Sequence, residues 1–150
     1  MVTYNRVLLY YLLITLLLYV DQLSKNYFVQ KQFVGFLSWF NFELAFNTGS
    51  AFSLAIPLFI TVGLGVVVGL AFLLAPTSAK FRKLALSQQA VFALITAGII
   101  GNSIDRIAYG KVIDFIHISI WPIFNLADTY LTIGVIIVIA YHLFFAKHKS

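Results

Sequence analysis

Residues 7–20 read VLLYYLLITLLLYV, a run with no charged residue, preceded by Arg6 and followed by Asp21, Ser24 and Lys25. A helix rises 1.5 Å per residue, so crossing a hydrocarbon core of roughly 30 Å takes about 20 largely apolar residues. The segment 4–24 meets that length. Similar segments recur at 57–75, 88–108 and 125–146, the second ended by Pro76 and the last by Lys147, His148 and Lys149. Four such segments in 150 residues predict an all-α membrane protein with four transmembrane helices, built as a single membrane-embedded domain over 1–150. Arg6 ahead of an apolar run also suits a secretory signal peptide, but no small-residue cleavage site follows, so the segment reads as a retained helix.

Composition agrees. Hydrophobic residues make up 61% of the chain and charged residues 10%, with a mean hydropathy of +0.96; soluble domains run at roughly 45 to 50% and 25%. The absence of cysteine excludes a thiol nucleophile, a disulfide framework and a thiolate metal site. The net charge of +5 is not gathered into one stripe, and several cations flank the spans, which points to topology signals and to no nucleic-acid partner. Lys80, Arg82 and Lys83 make the connection between the second and third spans cytoplasmic, and both termini then fall on that side.

Between the first two spans, residues 26–56 interleave Phe33, Phe36, Trp39, Phe40, Phe42 and Phe46 with Lys31, Asn41 and Glu43, as expected of a segment lying at the interface. In the second span, Gly63, Gly65 and Gly69 offer sites for close helix contact. With this topology all five acids, Asp21, Glu43, Asp105, Asp114 and Asp128, gather at or near the outer face. Acids influence insertion weakly and are costly within a span, so function at that face is the natural explanation.

Three stretches carry chemistry. Asn102, Asp105 and Arg106 stand at i, i+3 and i+4 near the end of the third helix and share a face. An aspartate beside an arginine suggests simple charge neutralisation, but the amide of Asn102 needs partners on both its sides and makes a polar network the better reading. Asp114 interrupts the apolar, β-branched run Val112-Ile113-Asp114-Phe115-Ile116, which reads as a strand or extended connection, and desolvation there favours the protonated carboxyl. Asn125 is placed to cap the fourth helix, with Asp128 at its third position. Capping and dipole effects explain that pair structurally, yet the same helix end would keep Asp128 ionised while Asp114 is pushed toward neutrality. Two acids in opposed environments form an acid/base pair able to hydrolyse an amide without metal or covalent intermediate. Fourteen positions separate them, a distance that a strand and a tight return could close. Two weaker signals belong to the same face: Asp21 and Lys25 at i, i+4, read as a structural pair, and the turn beginning Asn47-Thr48-Gly49.

In chain order, Asp21-Gln22-Leu23-Ser24-Lys25, Asn47-Thr48-Gly49-Ser50-Ala51-Phe52, Gly101-Asn102-Ser103-Ile104-Asp105-Arg106, Val112-Ile113-Asp114-Phe115 and Phe124-Asn125-Leu126-Ala127-Asp128 resemble the bacterial lipoprotein signal peptidases, the signal peptidase II family. The resemblance spans nearly the whole chain. It implies an intramembrane aspartic endopeptidase of the bacterial cytoplasmic (inner) membrane that removes signal peptides from diacylglyceryl-modified prolipoproteins, cutting just before the lipidated cysteine. It further implies inhibition by globomycin-type cyclic peptides, contact with membrane lipid, a monomer, and no cofactor or metal. By position, the catalytic aspartates are Asp114 and Asp128. Substrate-positioning and supporting roles fall on Asn47, Gly49, Asn102, Arg106 and Asn125, with Asp105, Asp21 and Lys25 in structural roles; Asp105 is the rival for a catalytic one. The resemblance also suggests that residues 33–46 contribute to a small extracytoplasmic β-cradle. Two departures stand out: Ser50 where many members have alanine, and a connection between Asp114 and Asp128 a few residues shorter than usual.

Two other functions fit membrane acids. A transporter or proton carrier would continue polar groups through the bundle, whereas the second span and the inner halves of the others carry almost none. A magnesium-dependent hydrolase would use Asp105, Asp114 and Asp128 as oxygen ligands and would lose activity with chelator. His117 reads as an interface residue, and His142 and His148 lie at the far end.

Overall fold

The computed structural model describes residues 2–31, 33–37, 39–48 and 57–144 of the chain. Expectations that fall on Gly49, Ser50, Ala51 and Phe52, or on Lys147, His148 and Lys149, lie outside the described residues. In order, the elements are α1 (Val2–Lys31), β1 (Phe33–Leu37), β2 (Phe40–Asn47), α2 (Leu58–Leu74), a short α3 (Ala79–Arg82), α4 (Leu86–Tyr109), β3 (Val112–Ile118) and α5 (Leu126–Phe144). Helices α1, α2, α4 and α5 are each long and apolar enough to cross a membrane. The chain is a multi-pass, all-α membrane protein with a small sheet at one end.

The helix ends differ from the sequence expectation in instructive ways. Asp21, Ser24 and Lys25 do not close α1, which continues to Lys31. No glycine or proline lies between Asn26 and Lys31, and Asp21 and Lys25, one turn apart, turn inward instead of meeting solvent. After α2, Pro76 sits in a 3-10 turn, Ala75–Thr77, and Ser78 caps α3 by accepting from the Lys80 amide. Gly110 ends α4 with φ of 70°, a left-handed conformation that a side chain would oppose, and so turns the chain directly into β3.

Helix α4 is the most buried of the four and packs against α1, α2 and α5. Close approach uses two of the three glycines expected in α2: a Cβ at Gly65 would overlap the Ser103 hydroxyl, and one at Gly69 would meet Ile100 at 3.3 Å, whereas Gly63 has nothing within 4 Å. The outward faces carry Leu8, Leu12 and Leu16 on α1 and Leu64, Val67, Leu70 and Leu74 on α2, all exposed. Such stripes are stable only against lipid.

The sheet is antiparallel in the order β1-β2-β3. The register sets Asn47 opposite Val112 and Ala45 opposite Asp114. Phe28 of α1 fastens the sheet to the bundle, stacking on Phe42 and Phe115 with ring centroids 4.8 and 4.6 Å away. The ends of α1 and α4 and the start of α5 therefore meet under β3, and this junction holds the polar residues.

Candidate active site

The lower tier of the junction is a buried ion cluster. Lys25 Nζ lies 2.8 Å from Asp21 Oδ2 and 2.9 Å from Asp105 Oδ2, and all three side chains are at most 1% exposed. Every carboxylate oxygen has a further task. Asp21 Oδ1 accepts the Ala127 amide at 2.9 Å, at the start of α5, and Asp105 Oδ2 accepts the Ile113 amide at 3.1 Å, in β3. Gln22 Nε2 donates to Asp105 Oδ1 at 3.0 Å and lies 3.1 Å from Asp21 Oδ2 and 3.4 Å from the Gly101 carbonyl. Charges so far from water are tolerated only when paired and fully hydrogen-bonded, as here. The cluster ties α1 to α4, β3 and α5. The closeness depends on Gly101, where a Cβ would stand 2.8 Å from Asp21 Oδ2.

Asp21 and Lys25 do pair, and the pair is fully buried. Asp105 neutralises Lys25 and not its neighbour Arg106. All of its oxygens are occupied by this scaffold.

The upper tier is built from amides. Asn125 Nδ2 lies within hydrogen-bond distance of three acceptors: Asp114 Oδ1 at 2.7 Å, Asn102 Oδ1 at 3.0 Å and the Ile113 carbonyl at 3.2 Å. Its Oδ1 accepts the Asp128 amide at 2.8 Å, while Asp128 Oδ2 accepts the Asn125 amide at 3.3 Å. This reciprocal pattern is a capping box, with Asn125 at the N-cap and Asp128 three residues on. Asn102 Nδ2 then donates to Asp128 Oδ1 at 2.6 Å, and Lys25 Nζ reaches Asn102 Oδ1 at 3.4 Å, joining the two tiers. The Asn125 side chain therefore touches the side chain of Asp114 and the backbone of Asp128 together.

The strand-and-return geometry that brings the two acids together is explicit. Phe124 folds back on β3, exchanging hydrogen bonds with Ile116 at 2.8 and 3.0 Å, so Asn125 follows beside Asp114. Asp114 is 2% exposed, and its pKa is raised to about 6. Burial is the main cause and the charge of Asp128 the second; hydrogen bonds from Asn47 and Asn125 and the charge of Lys25 oppose the rise. Asn47, at the end of β2, thereby joins the site. Arg106 donates from Nη1 to the Asn102 carbonyl at 3.4 Å, and its buried Nε has no partner among the described residues.

Of the residues expected at the site, Asp21, Lys25, Asn47, Asn102, Asp105, Arg106, Asp114, Asn125 and Asp128 converge on one junction. Gln22 was missed as a link between the two structural acids; a glutamine next to an aspartate inside an apolar span was the available signal. His117 lies on the sheet surface, its Nδ1 3.0 Å from Glu43 Oε2. Among the described residues no three His, Asp or Glu side chains are grouped so as to hold a metal ion. A magnesium site built on Asp105, Asp114 and Asp128 would have to take Asp105 from Lys25, Gln22 and the Ile113 amide. What remains is a buried carboxyl with a raised pKa that feels the charge of a second acid, the two joined through Asn125, an arrangement suited to general acid/base attack of water on a carbonyl.

Comparisons with known proteins point to one family. The family model described as signal peptidase (SPase) II matches residues 13–145. The lipoprotein signal peptidase of Chlorobium phaeobacteroides is 32% identical over 93% of this chain and 99% of its own length. That of Francisella tularensis subsp. novicida is 37% identical over 89% and 87%, and that of Moorella thermoacetica 38% over 84% and 87%. A bacterial membrane enzyme solved by the in meso method at 2.3 Å superposes with a TM-score of 0.81 at 27% identity, over 94% of this chain and 91% of that one.

Proposed function

The chain belongs to the signal peptidase II family, a peptidase family of lipoprotein processing, and from that premise we propose that it is an aspartic endopeptidase with Asp114 and Asp128 as its catalytic pair. The observation that carries the proposal is the Asn125 side chain, which holds Asp114 Oδ1 and the Asp128 amide while Asp105 is consumed by Lys25. Of the three acids of α4, β3 and α5, two are held by neutral amides and keep their proton chemistry; the third is an ion-pair partner.

In this mechanism Asp128, ionised at the start of α5, takes a proton from a water lying between the carboxyls. The water oxygen bonds to the scissile carbonyl carbon as Asp114 gives its proton to the carbonyl oxygen. The proton on Asp128 then passes to the amide nitrogen, the C–N bond breaks, and Asp114 recovers its proton as the new carboxyl forms. The two protons belong to the pair, which titrates as a unit. Asn47 and Arg106 would hold the substrate backbone, and Asn102 and Asn125 would orient the acids. By resemblance, Gly49 is proposed to share in supporting the substrate.

The substrate is a diacylglyceryl-modified prolipoprotein cut just before the lipidated cysteine. Its apolar signal helix enters sideways between spans from the lipid, and the sheet, with Trp39 exposed at the β1–β2 turn, supports it from above. Globomycin-type cyclic peptides would bind at the same junction. The basic connection around α3 supports a topology with that end and both termini in the cytoplasm of a bacterial cell and the catalytic junction at the outer face of the inner membrane, and a monomer would suffice because one chain supplies every group.

The test is cleavage of a diacylglyceryl-modified prolipoprotein, with chelator present, by the parent and by Asp114→Asn, Asp128→Asn and Asp105→Asn. The expected outcome is parental cutting before the lipidated cysteine, none by the first two variants although folded, and loss of stability in the third. Inhibition of the parent by chelator, or cutting by either of the first two variants, refutes the pair.

A further inference from the structure

At the end of the bundle opposite Asp114, a cleft of about 570 Å³ opens between the first turns of α1 and the segment joining α2 to α3. Tyr4, Val7 and Tyr11 line one side, and Pro76, Thr77 and Arg82 the other. Its chemistry is mixed in a consistent way. Val7, Pro76 and the tyrosine rings give an apolar floor, Tyr11 is fixed by donating its hydroxyl to the Leu73 carbonyl at 2.8 Å, and Arg82 supplies a charge at the mouth.

Among the described residues that charge meets no acid. All five acidic side chains of the chain belong to the opposite, sheet-bearing end, and the ion pairs among the described residues join Lys25 to Asp21 and Asp105 and His117 to Glu43. Arg6, Lys80 and Lys83 stand at the same end as Arg82, with no acid to meet them. Depth adds the second constraint. The spans containing these residues run Tyr4–Lys31 and Leu58–Thr77, so a cleft lined by Tyr4 and Thr77 lies where hydrocarbon gives way to headgroups.

The geometry points to a binding site for an anionic phospholipid, with its phosphodiester on the Arg82 guanidinium and its glycerol and upper acyl chain along Val7, Tyr11 and Pro76. Arginine suits the role because its planar fork meets two phosphate oxygens at once, and basic pockets between spans are a recurrent means of holding acidic headgroups. Tyr4, 83% exposed, is free to fold over the headgroup. The site shares no residue with the proposed peptidase site, so either can fail without the other.

Native mass spectrometry of the detergent-solubilised full chain, titrated with dioleoyl phosphatidylglycerol or dioleoyl phosphatidylcholine, tests this. The parent should retain phosphatidylglycerol at least about fivefold better than phosphatidylcholine, near what one surface cation contributes. Arg82→Gln should fall to the phosphatidylcholine level and Arg82→Lys should keep part of the preference, while Lys111→Gln, a cation at the sheet end, should behave as the parent. Equal retention by Arg82→Gln overturns the proposal, and so does an equal loss in Lys111→Gln, which would mean diffuse attraction. Displacement of the lipid by inorganic phosphate at matched concentration would identify a free anion as the ligand and overturn it too.

Discussion

Replacing Asp114 with asparagine removes a carboxyl whose ionisation the fold opposes, and the structure sets both the sign and the size of the result. The folded pKa of about 6 lies above the ordinary value of 3.8, so the folded chain holds this proton more tightly than the unfolded chain does. Stability from this group is complete below about pH 4 and is lost as the pH rises through 6. A gap of about two pH units corresponds to about 3 kcal/mol, undiminished by solvent because Asp114 is 2% exposed. Asparagine keeps an oxygen for Asn125 Nδ2 but adds an amide NH2 group that costs about 1 kcal/mol if it finds no acceptor. The net expectation is a variant more stable than the parent by about 2 kcal/mol at pH 8, with the advantage vanishing near pH 4. Thermal unfolding of parent and variant in one detergent across pH 4 to 8 measures it. A variant less stable than the parent at pH 8, or a difference that does not change with pH, refutes the assignment of Asp114 as the destabilised acid.

Four further expectations follow from the same geometry. Lys25→Met leaves Asp21 and Asp105 facing each other without a cation and should cost about 3 to 5 kcal/mol, most of it regained when Asp21→Asn and Asp105→Asn are added; thermal unfolding of the single and triple variants decides. Asn125→Ala removes the side-chain half of the capping box and the bond to Asp114, so stability should drop by about 0.5 to 2 kcal/mol and kcat by about a hundredfold with KM little changed. Gly101→Ala pushes a methyl to 2.8 Å from Asp21 Oδ2 and should lower stability by about 1 to 3 kcal/mol, read as a reduced melting temperature. If Asp114 must be protonated, kcat/KM should decline with rising pH on a limb centred near 6, and a profile flat between pH 5 and 8 would contradict that role.

How much of this was legible in the sequence depends on the distance over which each feature is determined. The four spans follow from local hydropathy, and the strand at Asp114 from a β-branched run after Gly110, so both could be read from neighbours in the chain. The end of α1 could not. Whether Asp21 and Lys25 stop a helix at the interface or continue it depends on Asp105, 84 positions beyond Asp21 and brought alongside by α4. Gly63, Gly65 and Gly69 look alike in sequence, yet only the last two face α4, because the rotation of α2 is a tertiary property. The residues that meet at the junction are legible from residue type and by resemblance, and the resemblance also suggests their division of labour, with Asp105 kept as a rival; what the sequence lacks is a physical reason for that division. The local sequence sets Asp105 beside an arginine and Asp128 after a capping asparagine, but what separates them in the fold is that one meets the ammonium of Lys25 and the other two amides.

That division explains why an all-but-apolar bundle keeps so many polar groups at one end. A catalytic carboxyl must exchange protons, so it cannot be locked to a buried cation, which would hold it ionised throughout. Nor can it be left unsupported, since an unpaired buried carboxylate is too costly to persist. The structure separates the two demands in space. The lower tier uses Lys25 to satisfy two acids and spends their remaining oxygens on the amides of Ile113 and Ala127, fixing where β3 and α5 begin. The upper tier, positioned by those starts, uses neutral Asn102 and Asn125 to hold Asp128 and Asp114; the Asn125 bond lowers the pKa of Asp114 but does not lock it ionised as a buried cation would. Lys25 touches both tiers, at full contact below and at 3.4 Å from Asn102 above, so its charge limits how far the pKa of Asp114 can climb without neutralising the pair outright.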